Sequence, residues 1–251
     1  MELVTQALVL HAADYLESSR ILRMLTRDAG MQSVVARGAR SSRKRFGAAL
    51  GLFAEGQAVL QMKPGRDLHT LTSFEVTDAH SDLALDLDRF AAASAVAELV
   101  QRLVVDDVAD AAADIFDGIA AGLELLSAAS GSETVPTTLG LLWRLVSTVG
   151  FRPELLSCVE CHSPVPKDAD LRFHAMTGGI ICSNCASRLP GGRLLPASAR
   201  AQLLEWLGGG SPVVEPRMAR AHQRLLREYV MGHLAERRAL RAYESWEVGV
   251  L

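Results

Sequence analysis

Near Ser81 the hydrophobic period of this 251-residue chain changes from two residues to about 3.6, which restricts the fold to a strand-built part followed by a helix-built part. Before that point the chain reads as five short strands, at residues 4–11, 20–26, 32–36, 53–62 and 68–76, broken at AADYLES, RDAG, a basic segment and KPGRD. Five strands in fewer than eighty residues, with one connection much longer and more charged than the rest, fit an OB-type barrel. After it, helices are expected over 81–104, 110–129, 135–150 and 199–207, and from 216 to about 241. The first would turn Leu83, Leu87, Phe90, Ala91, Ser94, Ala97 and Val104 to one face. The fold class is therefore α+β: a five-stranded OB-type barrel over 1–80 and a helical domain over 81–251, with a four-cysteine module inserted at about 155–190. No low-complexity linker separates the two parts, so they are expected to pack together.

With 49% hydrophobic and 22% charged residues the chain can build a core. The first residues, MELVTQALVLHAADY, carry an acid where a secretory signal carries cations, and no apolar run reaches the roughly eighteen residues of a membrane span. A cytoplasmic protein with no membrane partner is expected. The formal net charge of −3 hides a segregation: residues 1–80 hold ten Lys or Arg against eight Asp or Glu, residues 81–150 three against eleven, and residues 151–251 thirteen against ten.

Two basic features stand out. Arg37, Arg40, Arg43, Lys44 and Arg45 place five cations in nine residues, in the loop after the third strand, beside the edge where OB folds bind single strands. Two serines in the loop can hydrogen-bond phosphate, and Phe46 and Phe53 are candidates for stacking a base, although each reads more readily as an ordinary core residue. In the last helix, Arg217, Arg220, Arg224, Arg227 and Arg238 fall within an arc of roughly 80°, next to a face carrying Met218, Ala221, Leu225 and Tyr229. That stripe could meet phosphate, an acidic partner peptide, or the acidic helices of 81–150.

All four cysteines fall in one pattern, C-x2-C-x20-C-x2-C, formed by Cys158, Cys161, Cys182 and Cys185. Each x2 step folds as a knuckle that aims two thiolates at one point, and two knuckles complete the tetrahedron of a structural zinc. With four sulfur ligands no position stays open for water or substrate, so a catalytic zinc is not expected. LRFH and GGIIC between the knuckles suggest a short hairpin, while His162 and His174 read as exposed loop histidines. None of the three lysines precedes Ser or Thr, which excludes a P-loop, and GxGxxG, GxSxG and HExxH are absent from the sequence. Asp106 and Asp107 read as solvated acids rather than a nuclease site. The balance favours a binding protein over an enzyme.

With these residues in hand, the chain resembles the RecO family of bacterial recombination mediators. The resemblance rests on the A-L-V-L strand followed by Tyr15 and Glu17, on ARGAR-SRKRFGAAL-F, on KPGRDLHTL-SFE, on AAASAVAELV, on the late CxxC pairs, and on the closing YV-HL-ER-ALRAY-S. It covers nearly the whole chain. It implies an OB fold, a helical domain and a zinc module, and a non-enzymatic role in DNA repair: binding single- and double-stranded DNA, annealing complementary strands, and helping to load the RecA recombinase onto strands coated by single-strand-binding protein. RecR and the acidic tail of single-strand-binding protein are the implied partners. Carried onto this sequence, Arg37, Arg40, Arg43, Lys44 and Arg45 would contact DNA, and Cys158, Cys161, Cys182 and Cys185 would hold zinc. Annealing calls for a second basic surface, for which Arg217, Arg220 and Arg224 are the candidates, toward a second strand or the protein tail. Ser19 stands where many family members have an acid. The competing readings are an RNA-binding OB protein with a zinc ribbon, since phosphate contacts do not report the sugar, and a metal-dependent nuclease.

Overall fold

A computed structural model of the chain describes residues 1–39, 46, 50–104, 109–189, 191–234 and 238–249. Glu2–Tyr15 (β1), Ser19–Thr26 (β2), Gly30–Ala36 (β3), Glu55–Gln61 (β4) and Leu68–Asp78 (β5) close into a barrel in the order β1-β2-β3-β5-β4. The five expected strands are all present. Closure depends on β1, whose 14 residues pair with β4 through Glu2–Leu8 and with β2 from Ala7 onward. An irregularity between Val9 and His11 bends it between the two partners. Gly56 sits where β4 crosses β5, and a Cβ there would collide with the Glu75 carbonyl.

Strand alternation divides the apolar residues between two cores. Ala7, Val9, Leu22, Met24, Val34, Leu60 and Leu71 fill the barrel. Leu8, Leu10, Leu25 and Met31 point out of it, yet are buried in the same core as the helices. The two parts thus share apolar packing, as the missing linker suggests, and Arg27 adds a bidentate pair across the junction to Asp117 at 2.8 and 2.9 Å.

The helical part begins with Leu87–Leu103 (α1), capped by the Asp86 carboxylate accepting from the Arg89 N–H, followed by Ala112–Ala128 (α2) and Thr134–Thr148 (α3). The sequence assigns α1 one apolar face, but Leu87 and Phe90 are 59% and 38% exposed while Ala92, Ala93, Ala95, Val96, Leu99, Val100 and Leu103 are buried. The helix is central, touched by β1, α2, α3 and the final helix of the chain, and its alanines let those neighbours approach on several sides. A single-face reading fails for a helix enclosed in this way.

The insert holds Leu171–His174 (β6), Gly179–Ile181 (β7), Ser183–Ala186 (α4) and Arg193–Leu195 (β8), with strand order β7-β6-β8. The expected hairpin is β6–β7. Ala197–Leu207 (α5), Pro216–His233 (α6) and Arg241–Val248 (α7) follow. The helix expected from 216 to about 241 therefore ends early, α6 stopping at His233 where Leu234 turns extended with ψ 131°, and α7 is a further helix that begins at Arg241. The break lets α7 fold back so that Tyr243 and Trp246 enter the core, with the Tyr243 hydroxyl donating to Gln223 O at 2.7 Å. An unbroken helix would carry both aromatic rings past the core. Arg200, 3% exposed, joins the insert to α5 by donating from Nη2 to the carbonyls of Pro166 and Lys167. No helix among the described residues is long and apolar enough to cross a membrane.

His222 on α6 makes the helical part sensitive to acid. It is 1% exposed, its Nε2 lies 2.9 Å from Gln202 Oε1, and burial pushes its pKa down from 6.5 to about 4. Because the folded value lies below the unfolded one, the unfolded chain binds the proton first. The contribution is complete above pH 6.5 and is lost as the pH falls toward 4. The interval corresponds to a loss on the order of 3 kcal/mol. Urea unfolding at pH 7 and pH 4.5 should show that fall in the wild type and a shallower one in His222→Gln; equal falls would remove His222 as the cause.

Candidate nucleic-acid interface and four-cysteine site

Of the five loop cations, Arg37 is described and lies exposed immediately after buried Ala36 at the end of β3. Arg40, Arg43, Lys44 and Arg45 lie outside the described residues. Arg20 on β2 relates to both flanks of the segment, pairing in strand register with Ala36 and donating from Nη1 to Leu50 O at 3.2 Å.

Phe46 and Phe53 are core residues, the preferred reading of both, and not platforms for base stacking. Phe46 is 3% exposed inside the barrel. Phe53 is 2% exposed and packs edge-on to Phe90 at 5.9 Å, at the junction with the helices. Apolar burial outweighs a surface role for both. Of the barrel aromatics, Tyr15 at the end of β1 offers its ring to solvent. Across the outside of the barrel runs a polar row in which His11 pairs with Arg23 and Arg23 with Ser33, the Arg23 Nη1 donating to Ser33 Oγ at 3.3 Å.

The four cysteines converge. Their Sγ atoms all lie within 4.8 Å of one another, and those of Cys161 and Cys182 are 3.8 Å apart. Tetrahedral zinc with bonds of about 2.3 Å sets its sulfurs about 3.8 Å apart, so the cage fits the ion. The first knuckle is held by Cys158 N donating to Ser163 O and His162 N donating to Cys158 O, at 2.9 and 2.8 Å. The second winds onto α4, with Cys185 N and Ala186 N both reaching Cys182 O. The Glu154 carboxylate, accepting from the N–H groups of Leu156 and Ser157, steadies the approach to the first knuckle and is held below its usual range by those bonds.

The thiols are driven apart in acidity. Burial works against the Cys158 thiolate, but backbone donors led by Cys182 N–H overcome it and bring the thiol down to about 6. Cys185, beside Cys182 and the other two sulfurs, is pushed up to about 12. Four thiolates at this separation repel, and a divalent cation removes that repulsion. His162 is exposed, as expected. His174 is not a loop residue: it ends β6, half-buried, with no partner for its Nδ1 among the described residues.

On α6, Arg217, Arg220 and Arg224 are exposed. Arg227 instead pairs with Glu247 at 2.9 Å and Glu244 at 3.9 Å, both on α7. Arg238 falls in the break between the helices, which removes it from the stripe. Among the described residues, no ion pair joins Arg217, Arg220 or Arg224 to the acidic region of 81–150.

Comparison with known proteins fits this geometry. The family model described as Recombination protein O N terminal matches residues 1–80, and that described as Recombination protein O C terminal matches residues 84–242. The chain belongs to the RecO family. Curated RecO relatives named DNA repair protein RecO include one from Anaeromyxobacter sp. (strain Fw109-5), 36% identical over 250 residues, covering 97% of this chain and 95% of its own. Another, from Roseiflexus sp. (strain RS-1), is 33% identical over 242 residues, covering 93% and 81%. For a RecO chain, the barrel and the cysteine cage are the parts that the sequence places correctly. The row of His11, Arg23 and Ser33 escapes it, because strand register brings together residues that carry no common spacing.

Proposed function

We propose that this chain is a non-enzymatic mediator of DNA repair and recombination, acting in the cytoplasm at the nucleoid. It binds single- and double-stranded DNA, anneals complementary strands, and helps load RecA onto strands coated by single-strand-binding protein. The reading is carried by the closed OB-like barrel of a RecO-family chain whose sequence places five cations in nine residues directly after the third strand. Arg37, Arg40, Arg43, Lys44 and Arg45 grip the phosphates of one strand. The exposed Arg217, Arg220 and Arg224 engage a second strand or the acidic tail of single-strand-binding protein, and RecR is the further partner. One zinc ion, held by Cys158, Cys161, Cys182 and Cys185, supplies charge neutralisation and a fixed tetrahedral cross-link.

Annealing requires no covalent step. Two polyanionic strands repel, and a protein with two cationic surfaces lowers that repulsion while the base edges stay free to pair. Complementary strands precoated with single-strand-binding protein should anneal faster with this chain than without it, read by strand-pairing fluorescence. Equal rates would overturn the reading, as would a strong preference for RNA over DNA of the same sequence.

A further inference from the structure

From His11 to Tyr15, β1 pairs with β2 alone among the described residues, because its pairing with β4 ends at Leu8. Alternation along this stretch is regular, the irregularity lying before it, between Val9 and His11. His11, Ala13 and Tyr15 therefore share the outer face, while Ala12 turns inward against the barrel core. All three are exposed. The helices cover the outside of the barrel farther along, where Leu8, Leu10, Leu25 and Met31 join the common core.

Together these side chains form a slot. His11 and Tyr15 stand four residues apart on one strand, about 13 Å at the rise of an antiparallel strand. Nucleotides along a stacked strand repeat at about 3.4 Å, so four such intervals span the same distance and roughly three bases fit between the two rings. Ala13, in the middle, offers only a methyl group and leaves that space open. On β2, Ile21 stands opposite Ala13 and Ser19 opposite Tyr15, so the floor carries no charge. The Asp14 carboxylate alternates to the other face and meets Arg20 Nε at 3.2 Å. Neither His11 nor Tyr15 has a ring partner among the described residues. Arg20 stands opposite both Asp14 and Ala36, so Tyr15 and Arg37, each one residue farther on, lie at the same end of the sheet.

We infer that His11 and Tyr15 bracket a stack of about three unpaired bases, and that this triplet is where a complementary strand begins to pair. The inference rests on the DNA-binding reading above and deepens it, naming the base faces as a second ligand of the barrel beside the phosphates assigned to the basic segment. Rings hold a base by its π-face whatever its identity, and leave its pairing edge open to the second strand. A strand already ordered over three nucleotides has less conformational freedom left to lose when it pairs.

The test uses the full-length chain with two fluorescein-labelled strands of about 25 nucleotides: oligothymidylate, and an abasic strand of tetrahydrofuran nucleotides that keeps the phosphates and lacks the bases. In anisotropy titrations Tyr15→Ala should bind oligothymidylate roughly tenfold more weakly than wild type, with an unchanged slope of log K against log salt. Its affinity for the abasic strand should equal that of wild type, and Tyr15→Phe should retain wild-type affinity for both. At protein concentrations that saturate mixed-sequence strands, Tyr15→Ala should still slow their annealing severalfold. Far-ultraviolet circular dichroism and metal content confirm that each variant is folded. Equal losses on both strands, or no loss on oligothymidylate, overturn the slot and leave the DNA-binding reading intact. A saturated Tyr15→Ala variant that anneals at the wild-type rate overturns the pairing role, and wild-type protein that binds neither strand overturns both readings.

Discussion

Cys158→Ser is expected to release the metal and unfold the insert, while the barrel continues to bind DNA. A structural zinc supplies about 10–16 kcal/mol in zinc-finger peptides near neutral pH, comparable with the whole stability of a domain. Cys158 is the buried member of the four, its thiol brought down to about 6, and its Sγ accepts the Cys182 N–H at 3.3 Å, so serine removes both a ligand and the link between knuckles. The strands that the cage secures contribute Leu171, Phe173, Ile180 and Leu195 to the common core, and Phe173 packs on Tyr229 of α6 with ring centroids 5.5 Å apart. Losing the cage should therefore open cleavage sites between residues 151 and 196 and loosen α6. The barrel interior is a separate apolar cluster and should survive. Limited proteolysis with mass spectrometry reads the first effect and strand binding the second. Release of much less than one equivalent of zinc from denatured wild-type protein, or equal protease resistance in the variant, would refute the cage. Acid should act in the same direction, because protons compete for all four thiolates.

Replacing Arg37, Arg40, Arg43, Lys44 and Arg45 by serine should lower the slope of log K against log salt on single-stranded DNA by roughly 3.5, from about 0.7 per phosphate contact. At low salt the affinity falls by orders of magnitude; at high salt wild type and variant converge, because the released counterions no longer favour binding. The fold should be preserved, since the substitutions leave the buried Phe46 in place together with Ala36 and Leu50, which Arg20 meets by strand register and by a hydrogen bond. A slope unchanged by the five substitutions would return the segment to an ordinary solvated loop. A loss of only one or two units would shift the main contact to the outer barrel row of His11, Arg23 and Ser33.

Much of this organisation is legible in the sequence because it is local. Period-two alternation identifies each strand of the barrel, and the C-x2-C steps place two thiols on each turn before any tertiary contact forms. What fails does so where burial depends on distant neighbours. Leu87 and Phe90 belong to the single apolar face expected of α1, yet both remain exposed while its alanines are buried. The arginine stripe counts Arg238 by helical phase, but the turn at Leu234 breaks that phase so that Tyr243 and Trp246 can reach the core.

The sequence by itself determined the order of barrel, helices and cysteine insert, and the cations that make an anionic partner expected. Each follows from spacing within a few residues, where backbone geometry fixes direction. Only the tertiary structure decided which of those side chains remain at the surface, that Arg227 is drawn to α7, and that His11 and Tyr15 stay exposed on one face of β1. These outcomes depend on strand register, on the bend in β1 and on where the last helix breaks, all set by burying apolar area between segments far apart in the chain.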